Sequence, residues 1–323
     1  MTDTTGTKQT TLNELLDGMP KNWGRWGDDD EIGCLNYLTP QEVLRGVQHV
    51  RSGKVFTLGV PIGDPGGDPV WPGRSGATRL MTQDRSHYTS GKLQPLPGGL
   101  EYADDYITAF LQGSSQYDAL GHTWYGDQIY NGYDAETTTG GMARCGVEKL
   151  AERGIVGRGV LIDMARHRGK DALEPAETFG VEDLEAAAEA QGVTIDSHDN
   201  LCIRTGWLNV FYEKGADAFY ENFVEPGLTF TPELVRWFHE KEIVSLSTDT
   251  IANEVTTDPV SGVVLPLHAA LMRNLGVLFS EILWFEELAK DCVEDGQWTF
   301  LYAGAPLRVV GGTGAPVNPI VVK

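Results

Sequence analysis

The second half of the chain alternates between helical and extended hydrophobic patterns. In chain order the pattern predicts a helix over 142–153, a strand over 159–164, a helix over 181–191, a strand over 201–205, a helix from Thr231, a strand over 243–248, a short helix from His268 to near Gly276, and closing strands over 298–303 and 307–310. The tail GAPVNPIVVK follows. Because helices and strands alternate, the sequence predicts an α/β fold.

Residues 1–37 are predicted to form an arm. Thr11 and Glu14 match a capping box, in which each side chain bonds the other residue's backbone N–H at the start of a helix. The polar stretch NWGRWGDDDEIG follows, and we expect the arm to pack on the body or to wrap a neighbouring subunit. Residues 38–323 are predicted to form one domain, since no repeat, low-complexity tract or linker divides them.

A helix, a strand and a long loop are predicted between residues 39 and 100. Thr39-Pro40-Gln41-Glu42 combines an N-cap, a first-turn proline and a capping glutamate. The helix would run up to Gly53 and bury one face made of Val43, Leu44, Val47 and Val50. Residues 54–62 are β-rich, whereas 63–100 are dense in glycine and proline, which predicts a long loop that is functional or mobile.

The charge balance argues against two classes of partner. The chain has 25 basic and 46 acidic residues among 323, which gives a net charge of 25 − 46 = −21, and this charge repels nucleic acid and anionic lipid surfaces.

The four cysteines form no CxxC pair, so we expect reduced thiols. The first residues lack a signal-peptide pattern, and no apolar run reaches the ~18 residues of a membrane span. We therefore expect a soluble, cytoplasmic protein.

Any metal or acid–base site must use some of the seven histidines. His49 and His239 lie late in predicted helices, where a cation is stabilised by the helix dipole, so structural roles are expected. His198 lies in a polar turn and should be solvated. The chain also lacks GxSxG, GxxxxGK[ST] and HExxH, which argues against serine hydrolases, nucleotide enzymes and zincins.

Two histidines have an aspartate four residues earlier, Asp118/His122 and Asp163/His167. Since acids make up 46 of 323 residues, about one such pair among seven histidines arises by chance. The setting favours the first pair, because QGSSQYDALGH follows the apolar ITAFL and precedes an aromatic run, as in a strand that ends in a pocket-lining loop. The second pair precedes the basic stretch RHRGK, where surface salt bridges are expected.

A second candidate region is PLHAALMRNLGVLFSEILWFEEL, in which His268 and Glu281 are polar exceptions at apolar-flanked positions. Burying a carboxylate and an imidazole in separate elements costs several kcal/mol unless a metal or counter-charge receives them. A shared divalent ion would explain both residues. A histidine at a helix start and a surface glutamate would explain them equally well.

Several segments resemble one known family, in its order and over nearly the whole chain: RWGDDDEIGCLNYLTPQEVLRG, GVLIDM, LCIRTGW, LSTDT and the segment from His268 to Glu281. This is the cyclase family, which includes bacterial kynurenine formamidases and isatin hydrolases. The family's metal motif HxGTHxDxxxH falls on QGSSQYDALGH, so Asp118 and His122 match its aspartate and last histidine. Gln112 and Gln116 replace its first two histidines, and Ser114 replaces the glycine between them.

The resemblance implies a metal-dependent hydrolase with the swivelling β/β/α fold, a mixed sheet with flanking helices. Family members can hold two metal ions, and only the second ligand set survives here: Asp118, His122, His268 and Glu281. We expect one divalent ion, Zn²⁺ or Mn²⁺. The expected reaction cleaves a small cyclic or formylated amide or ester, such as a lactam, a lactone or an N-formyl arylamine. Asp118, His122 and Gln116 would serve catalysis.

Substrate contacts and assembly are also expected from the resemblance. Gln112 and Gln116 would orient water or substrate, because neutral amide oxygens are weak metal ligands. A flat aromatic or cyclic substrate could stack on aromatic residues that otherwise pack: Trp71, Trp124, Tyr125 and Tyr130. A homodimer or homotetramer is expected. Two other interpretations are a non-catalytic small-molecule-binding protein that has lost metal ligands and a metal-dependent lyase or dehydratase.

Overall fold

Four parallel strands form the centre of the main sheet. The structure, a computed structural model, describes residues 10–323. The central strands lie side by side in the order β5 (Ile155–Asp163), β7 (Asn200–Arg204), β9 (Ser245–Thr248) and β10 (Leu278–Glu281). Almost all of their residues are buried, as expected for parallel strands covered on both faces. Their carboxyl ends meet along one edge of the sheet.

Antiparallel strands extend the sheet on both sides. Beyond β5 lie β11 (Thr299–Gly304), β13 (Ile320–Val322) and β1 (Val55–Thr57), and beyond β10 lie β4 (Gln116–Asp118) and β12 (Gly314–Pro316). The predicted strand over 298–303 is confirmed as β11. The predicted strand over 307–310 was wrong, because this apolar run is irregular and leaves Leu307 and Val310 exposed. The tail supplies β12 and β13 instead.

Helices flank the sheet. The α-helices are α1 (Leu12–Leu15), α2 (Pro40–Val47), α3 (Arg85–Thr89), α4 (Val147–Arg153), α5 (Met164–His167), α6 (Val181–Gln191), α7 (Trp207–Lys214), α8 (Ala216–Phe219), α9 (Pro232–Lys241) and α10 (Glu286–Asp295). Short 3₁₀ turns cover Gly33–Tyr37, Tyr130–Gly132, Ala135–Thr138 and Glu221–Phe223. A π-helical segment, His268–Leu275, confirms the short helix predicted after His268. The predicted helices at 181–191 and from Thr231 are confirmed, whereas α4 starts later than predicted.

Helix α2 differs from its prediction in length and in its buried face. It ends at Val47 rather than at Gly53, and the Thr39 side chain forms no capping hydrogen bond. Leu44 is 61% exposed, whereas Gly46 is buried. A Cβ at Gly46 would lie 2.6 Å from the carbonyl carbon of Gly157 on β5. Close contact between two backbones, rather than apolar side chains, therefore decides which face of α2 meets the sheet.

The segment predicted as a long loop contains regular structure. Within and just beyond residues 63–100, β2 (Thr78–Gln83), α3 and β3 (Asp104–Thr108) form a hairpin, in which β2 pairs antiparallel with β3. Another two-stranded sheet joins β6 (Thr178–Phe179) to β8 (Gly227–Leu228). The density of glycine and proline concealed the hairpin, because its strands are short and flanked by turns.

The described part of the arm packs on its own chain. The Thr11–Glu14 capping box at the start of α1 is confirmed. The Asn22 side chain donates to the carbonyl of Leu275 (2.8 Å), and Trp23 Nε1 donates to the carbonyl of Arg273 (3.0 Å). These bonds clamp the arm over the carboxyl end of the π-helical segment. Residues 1–9 of the predicted arm lie outside the described residues.

The overall architecture confirms the predicted fold class. A nine-stranded mixed sheet is flanked by helices, as the swivelling β/β/α fold requires. Between residues 10 and 323, the structure contains no helix whose length and apolar content would suffice to cross a bilayer.

The contact between α2 and β5 gives a stability prediction. Gly46→Ala should lower the free energy of unfolding by roughly 1–3 kcal/mol, because the added methyl group has no space beside Gly157 and overpacking outweighs the better helix propensity of alanine. Chemical denaturation measures the change. Leu44→Ala, at an exposed position of the same helix, is the control and should change stability by less than about 0.5 kcal/mol. A Gly46→Ala protein as stable as the wild type would contradict this packing.

Candidate metal centre

Two neighbouring antiparallel strands bring the first polar side chains together. In the pairing of β4 with β10, Gln116 lies directly opposite Glu281. Because alternate residues of a strand point to the same face, Gln116, Asp118 and Glu281 lie on one face of the sheet. Tyr117 points to the other face, where its hydroxyl lies 2.7 Å from that of Tyr302. The fold therefore joins segments more than 160 residues apart in the chain.

A third donor comes from the start of the π-helical segment. His268 Nε2 lies 3.4 Å from Glu281 Oε1, and one ligand atom each of Asp118, His268 and Glu281 lies within 4.8 Å of the other two. The three residues are 1%, 5% and 3% exposed. Burial and the neighbouring Asp118 carboxylate raise the pKa of Glu281. Two carboxylates and an imidazole thus converge on one buried point.

Glu254 fixes the orientation of His268. One of its oxygens lies 2.7 Å from His268 Nδ1, and it also accepts the backbone N–H groups of Leu267 and His268. Burial alone would lower the pKa of His268, but its bonds to Glu254 and Glu281 raise the pKa to about 10. With Nδ1 bound to Glu254, Nε2 faces the donor cluster. A carboxylate that orients a metal-ligating histidine in this way is common in protein metal sites.

Two further buried carboxylates shape the loop that carries Glu254. Asp249, directly after β9, accepts the backbone N–H groups of Thr205 and Gly206 at 2.8 and 2.7 Å. Both oxygens of Glu225 lie 3.0 Å from the backbone nitrogen of Ile251. Burial raises the pKa of Glu225 to about 8 and that of Asp249 to about 6. These contacts hold the turn between β9 and Glu254 in place.

Two buried amides contact Glu281. Gln116 Nε2 donates to one carboxylate oxygen (2.6 Å) and Asn253 Nδ2 donates to the other (3.3 Å). Three buried oxygens beside this cluster have no hydrogen-bond partner among residues 10–323: Gln116 Oε1, Asn253 Oδ1 and Asp118 Oδ1. A buried acceptor without a hydrogen-bond donor lowers the stability of the folded protein. Acceptors left unpaired around two carboxylates and an imidazole fit a divalent cation, with Asp118, His268 and Glu281 as the residues that would hold it.

His122 lies beside the donor cluster and outside the three-residue group. Its Nδ1 is 3.4 Å from Gln112 Nε2, which also donates to Thr313 Oγ1 at 3.0 Å. Burial lowers the pKa of His122, and the nearby Asp118 carboxylate opposes this shift. Burial therefore favours the neutral form of the His122 ring.

Comparison with known proteins places the chain in a family. The Cyclase family model matches residues 56–255. A crystal structure described as a novel cyclase has a TM-score of 0.86 and 37% sequence identity, and the match covers 94% of this chain and 100% of that one. The chain belongs to the cyclase family. The resemblance that the sequence motifs suggested is thereby confirmed.

More distant structures share the fold of this cyclase-family protein. Isatin hydrolase A from Labrenzia aggregata, solved with benzyl benzoate, has a TM-score of 0.59 and 20% identity, over 85% of this chain and 94% of that one. An isatin hydrolase bound to the product analogue thioisatinate has a TM-score of 0.57 and 17% identity, over 88% and 98%. No protein with a curated description matches the chain.

The structure brings three of the four proposed ligands of this cyclase-family protein together and places the motif glutamines beside them. Gln116 is fully buried against Glu281, whereas Gln112 is 5% exposed and contacts His122. The Ser114 hydroxyl is buried and has no hydrogen-bond partner in the described part of the chain. Both glutamines therefore lie within the site, although neither offers the ring-nitrogen lone pair with which a histidine binds a metal.

The two tyrosines proposed for substrate binding contact other parts of the chain. Tyr130 is fully buried, and its hydroxyl donates to Asp30 of the arm at 2.8 Å. The guanidinium of Arg273 lies 3.9 Å from the ring centre of Tyr125. The Tyr125 hydroxyl pairs with the amide of Asn274. These contacts give both rings packing roles that fix the arm and the π-helical segment.

The two tryptophans proposed for substrate binding are more accessible. Trp124 is 46% exposed, directly after the site histidine His122 and the following Thr123. Trp71 is half-buried and packs edge-on against Phe223 with ring centres 5.0 Å apart. Substrate contact by these two rings stays a prediction.

Three further residues, His198, His49 and Asp163, were expected to have structural or surface roles, and the structure confirms only one of these expectations. His198 was expected to be solvated, which was wrong: it stacks on Tyr37 at 4.9 Å, with Glu42 and Glu242 at its two ring nitrogens. His49 has the expected structural role, with Nδ1 2.8 Å from Thr299 Oγ1. Asp163 was expected in a surface salt-bridge cluster, but its ion pair with Arg204 is buried, because both residues lie at the covered ends of parallel strands.

Sequence reasoning missed Asn253 and Glu254. They lie in IANEV, directly after the segment LSTDT, and both are fully or almost fully buried. The sequence did contain a signal for them, because the amide of Asn253 and the carboxylate of Glu254 lie between apolar residues just after a predicted strand. That same signal had singled out His268 and Glu281.

The raised pKa of Glu225 predicts a pH dependence of stability. Between the ordinary value of about 4.3 and the folded value of about 8, the native state keeps a proton that the unfolded state loses, so stability falls as pH rises, by at most about 1.4 kcal/mol per pH unit. Glu225→Gln should remove this contribution and flatten the profile. Urea unfolding between pH 5 and 8 measures it, with the exposed Glu221→Gln as control. Identical slopes in the wild type and Glu225→Gln would contradict the assignment.

Proposed function

We propose that this protein is a metal-dependent hydrolase that binds one divalent ion through Asp118, His268 and Glu281, with His122 beside it. The convergence of these three buried donors carries the proposal. Within residues 10–323, the only basic side chain that forms an ion pair with either carboxylate is His268, whose Nε2 lies 3.4 Å from Glu281. Like charges brought this close in the interior need a cation or a proton between them.

The donor set also bears on the identity of the metal. Zn²⁺ and Mn²⁺ both accept imidazole and carboxylate ligands. Two carboxylates and the nearby amide oxygens of Gln116 and Asn253 are hard donors, which suit Mn²⁺ better than Zn²⁺. We expect one Mn²⁺ per chain.

The chemistry we propose divides between the metal and the chain. A divalent ion held by Asp118, His268 and Glu281 would supply Lewis acidity, which activates a substrate carbonyl and water for hydrolysis. His122, which lies beside the donor cluster, would accept the proton that the attacking water gives up. Gln116 holds Glu281 in position, and Gln112 holds the His122 ring. Glu254 keeps His268 turned toward the cluster.

The proposed substrate is a small cyclic or formylated amide or ester. Solved structures that share this fold include isatin hydrolases, whose name denotes the opening of a cyclic amide. In this chain the exposed Trp124 and the half-buried Trp71 supply flat apolar surfaces for an aromatic or cyclic substrate. Lactams, lactones and N-formyl arylamines therefore form the screening panel.

Asp118→Asn tests the metal centre. The change keeps the shape of the side chain but removes one of two charged oxygen ligands, so metal affinity should fall by more than about 100-fold and hydrolysis should fall to background. Because Asp118 repels Glu281, the metal-free variant should be no less stable than the wild type. Metal content, calorimetric metal titration and mass spectrometry of the products measure these effects.

The exposed Asp217→Asn is the matched control and should retain metal and activity. Wild-type protein that binds the panel compounds without metal or turnover would favour a binding protein over a hydrolase. A product without the added mass of one water would favour a lyase or dehydratase. An Asp118→Asn protein with unchanged metal affinity would refute the proposed centre.

Glu254→Gln tests the orientation of His268. The amide keeps a hydrogen bond but loses the charge that fixes the imidazole, so metal affinity should fall about 10–100-fold. Competition with a chelating dye measures the affinity independently of turnover. Glu287→Gln, at an exposed position on α10, should leave affinity unchanged. Equal affinities of the wild type and Glu254→Gln would show that Glu254 has no part in the site.

A further inference from the structure

One arginine near the candidate metal centre has no acidic partner in the described part of the chain. Six arginines between residues 10 and 323 are buried or half-buried: Arg45, Arg74, Arg144, Arg158, Arg204 and Arg273. Four of them form ion pairs with carboxylates, and Arg273 stacks on two aromatic rings and donates three hydrogen bonds. Arg74 has neither kind of contact among these residues, although the chain holds 46 acids and 25 bases.

The Arg74 side chain keeps most of its hydrogen-bonding capacity. Its Nη1 donates to the carbonyl oxygen of Gln112 at 3.1 Å, and this is its single side-chain hydrogen bond among residues 10–323. A guanidinium has five N–H donors, and the edge formed by Nε and Nη2 matches the two oxygens of a carboxylate. A half-buried cation whose edge has no protein partner is suited to an anionic ligand.

Arg74 lines a cavity of about 380 Å³ between the loop of residues 63–77 and residues 211–223. The larger side chains in its walls are mainly apolar or aromatic: Val70, Pro72, Phe211, Tyr220 and Phe223. Ligand pockets commonly have such a volume and combine apolar walls with a few polar groups that orient the ligand. Among the described residues that line this cavity, Arg74 is the one cation.

The carboxylate that lines the same cavity already has partners. Asp68 is 7% exposed, and one of its oxygens accepts the backbone N–H of Gly63 at 2.8 Å. Its other oxygen accepts the backbone N–H of Ala77 at 2.7 Å. Asp68 thus closes the loop that carries Arg74, and it forms no ion pair with Arg74 among the described residues.

The walls of the cavity are joined to the segment that carries Glu281. Phe211 lies in the same buried apolar cluster as Ile282, which directly follows Glu281. The Tyr220 hydroxyl lies 2.8 Å from both the backbone nitrogen and the carbonyl oxygen of Val70. This pair of contacts fastens the loop to the aromatic wall, so the cavity is preformed.

Arg74 connects this cavity with the candidate metal centre. It donates to the carbonyl of Gln112, whose side-chain amide lies 3.4 Å from His122 Nδ1. Burial has the largest effect on the pKa of His122 and on that of Glu281, and the nearby charge of Arg74 lowers both pKa values. A ligand held by Arg74 therefore lies next to the residues proposed for hydrolysis.

We propose that Arg74 binds a carboxylate carried by the substrate, so that this protein acts on anionic amides or esters whose apolar part lies in the aromatic cavity. The inference rests on the proposed hydrolase and narrows its substrate class. The bound carboxylate is separate from the amide or ester bond that is hydrolysed. In a chain with a net charge of −21, a dedicated cation is needed to hold an anionic substrate.

Arg74→Gln tests this site with two inert probes, hydrocinnamate and hydrocinnamyl alcohol, titrated by calorimetry with Mn²⁺ present. The wild type should bind the carboxylate at least about 10-fold more tightly than the alcohol, because a guanidinium and a carboxylate form charge-assisted hydrogen bonds. Arg74→Gln should abolish this preference. Arg74→Lys should keep part of it, because the charge remains while the planar fork is lost.

The same residue can be tested in turnover with para-formamidobenzoate and formanilide. Both compounds contain the same formamide bond, and only the first carries a carboxylate on its ring. Arg74→Gln should raise KM for para-formamidobenzoate at least about 10-fold and leave kcat/KM for formanilide within about 2-fold of the wild type. General damage to the site would lower both activities together.

Arg236→Gln, at an exposed position on α9, is the matched control and should keep the preference for hydrocinnamate. Circular dichroism establishes that each variant is folded. Wild-type protein without this preference, or an Arg74→Gln protein that retains it, would overturn the inference. The binding comparison needs no turnover. A protein that prefers the carboxylate through Arg74 but binds no metal and hydrolyses nothing would refute the proposed hydrolase and keep the anion site.

Discussion

The candidate metal centre depends on the close approach of two buried carboxylates. Asp118 and Glu281 reach one face of the sheet because β4 runs antiparallel to β10, and their ligand atoms lie within 4.8 Å of each other and of His268. Repulsion between like charges in the interior is severe, since water no longer screens it. Backbone bonds to Glu225 and Asp249 hold the neighbouring turn rigid. Burial and the neighbouring Asp118 carboxylate raise the pKa of Glu281, so the arrangement favours a proton or a cation close to these carboxylates.

The two motif glutamines change what the centre can hold. Gln116 is directed at Glu281 and Gln112 at His122, so both amides fill the positions where the family motif has histidines. A neutral amide donates a hydrogen bond to Glu281 without adding a nitrogen ligand. We infer that these replacements reduce a two-ion site to a one-ion site. In the proposed one-ion site, the unpaired amide oxygens of Gln116 and Asn253 would favour a hard cation.

The sequence predicted the central layers of the fold better than its edges. The helix over 181–191 and the strand over 201–205 have strong local periodicity, and the structure contains both with small changes in their ends. The strand β12 pairs with β4 across more than 190 residues, and no local pattern in the proline-containing tail signals that contact. The buried face of α2 is set by the close approach of the Gly46 and Gly157 backbones. A hydrophobicity pattern cannot predict such a contact, because glycine has no apolar side chain. Likewise, His268 and Glu281 could be predicted as site residues because they are polar residues in apolar sequence segments. The role of Glu254 could be recognised only from the structure, in which it lies within hydrogen-bond distance of His268.

Anomalous X-ray diffraction from crystals grown with Mn²⁺ tests the central claim most directly. Data collected near the manganese absorption edge locate the ion without reference to activity. The account predicts one strong peak per chain, with carboxylate oxygens of Asp118 and Glu281 and Nε2 of His268 at about 2.0–2.3 Å from it. A map without a peak between these three side chains, or with the ion bound elsewhere in the chain, would contradict it.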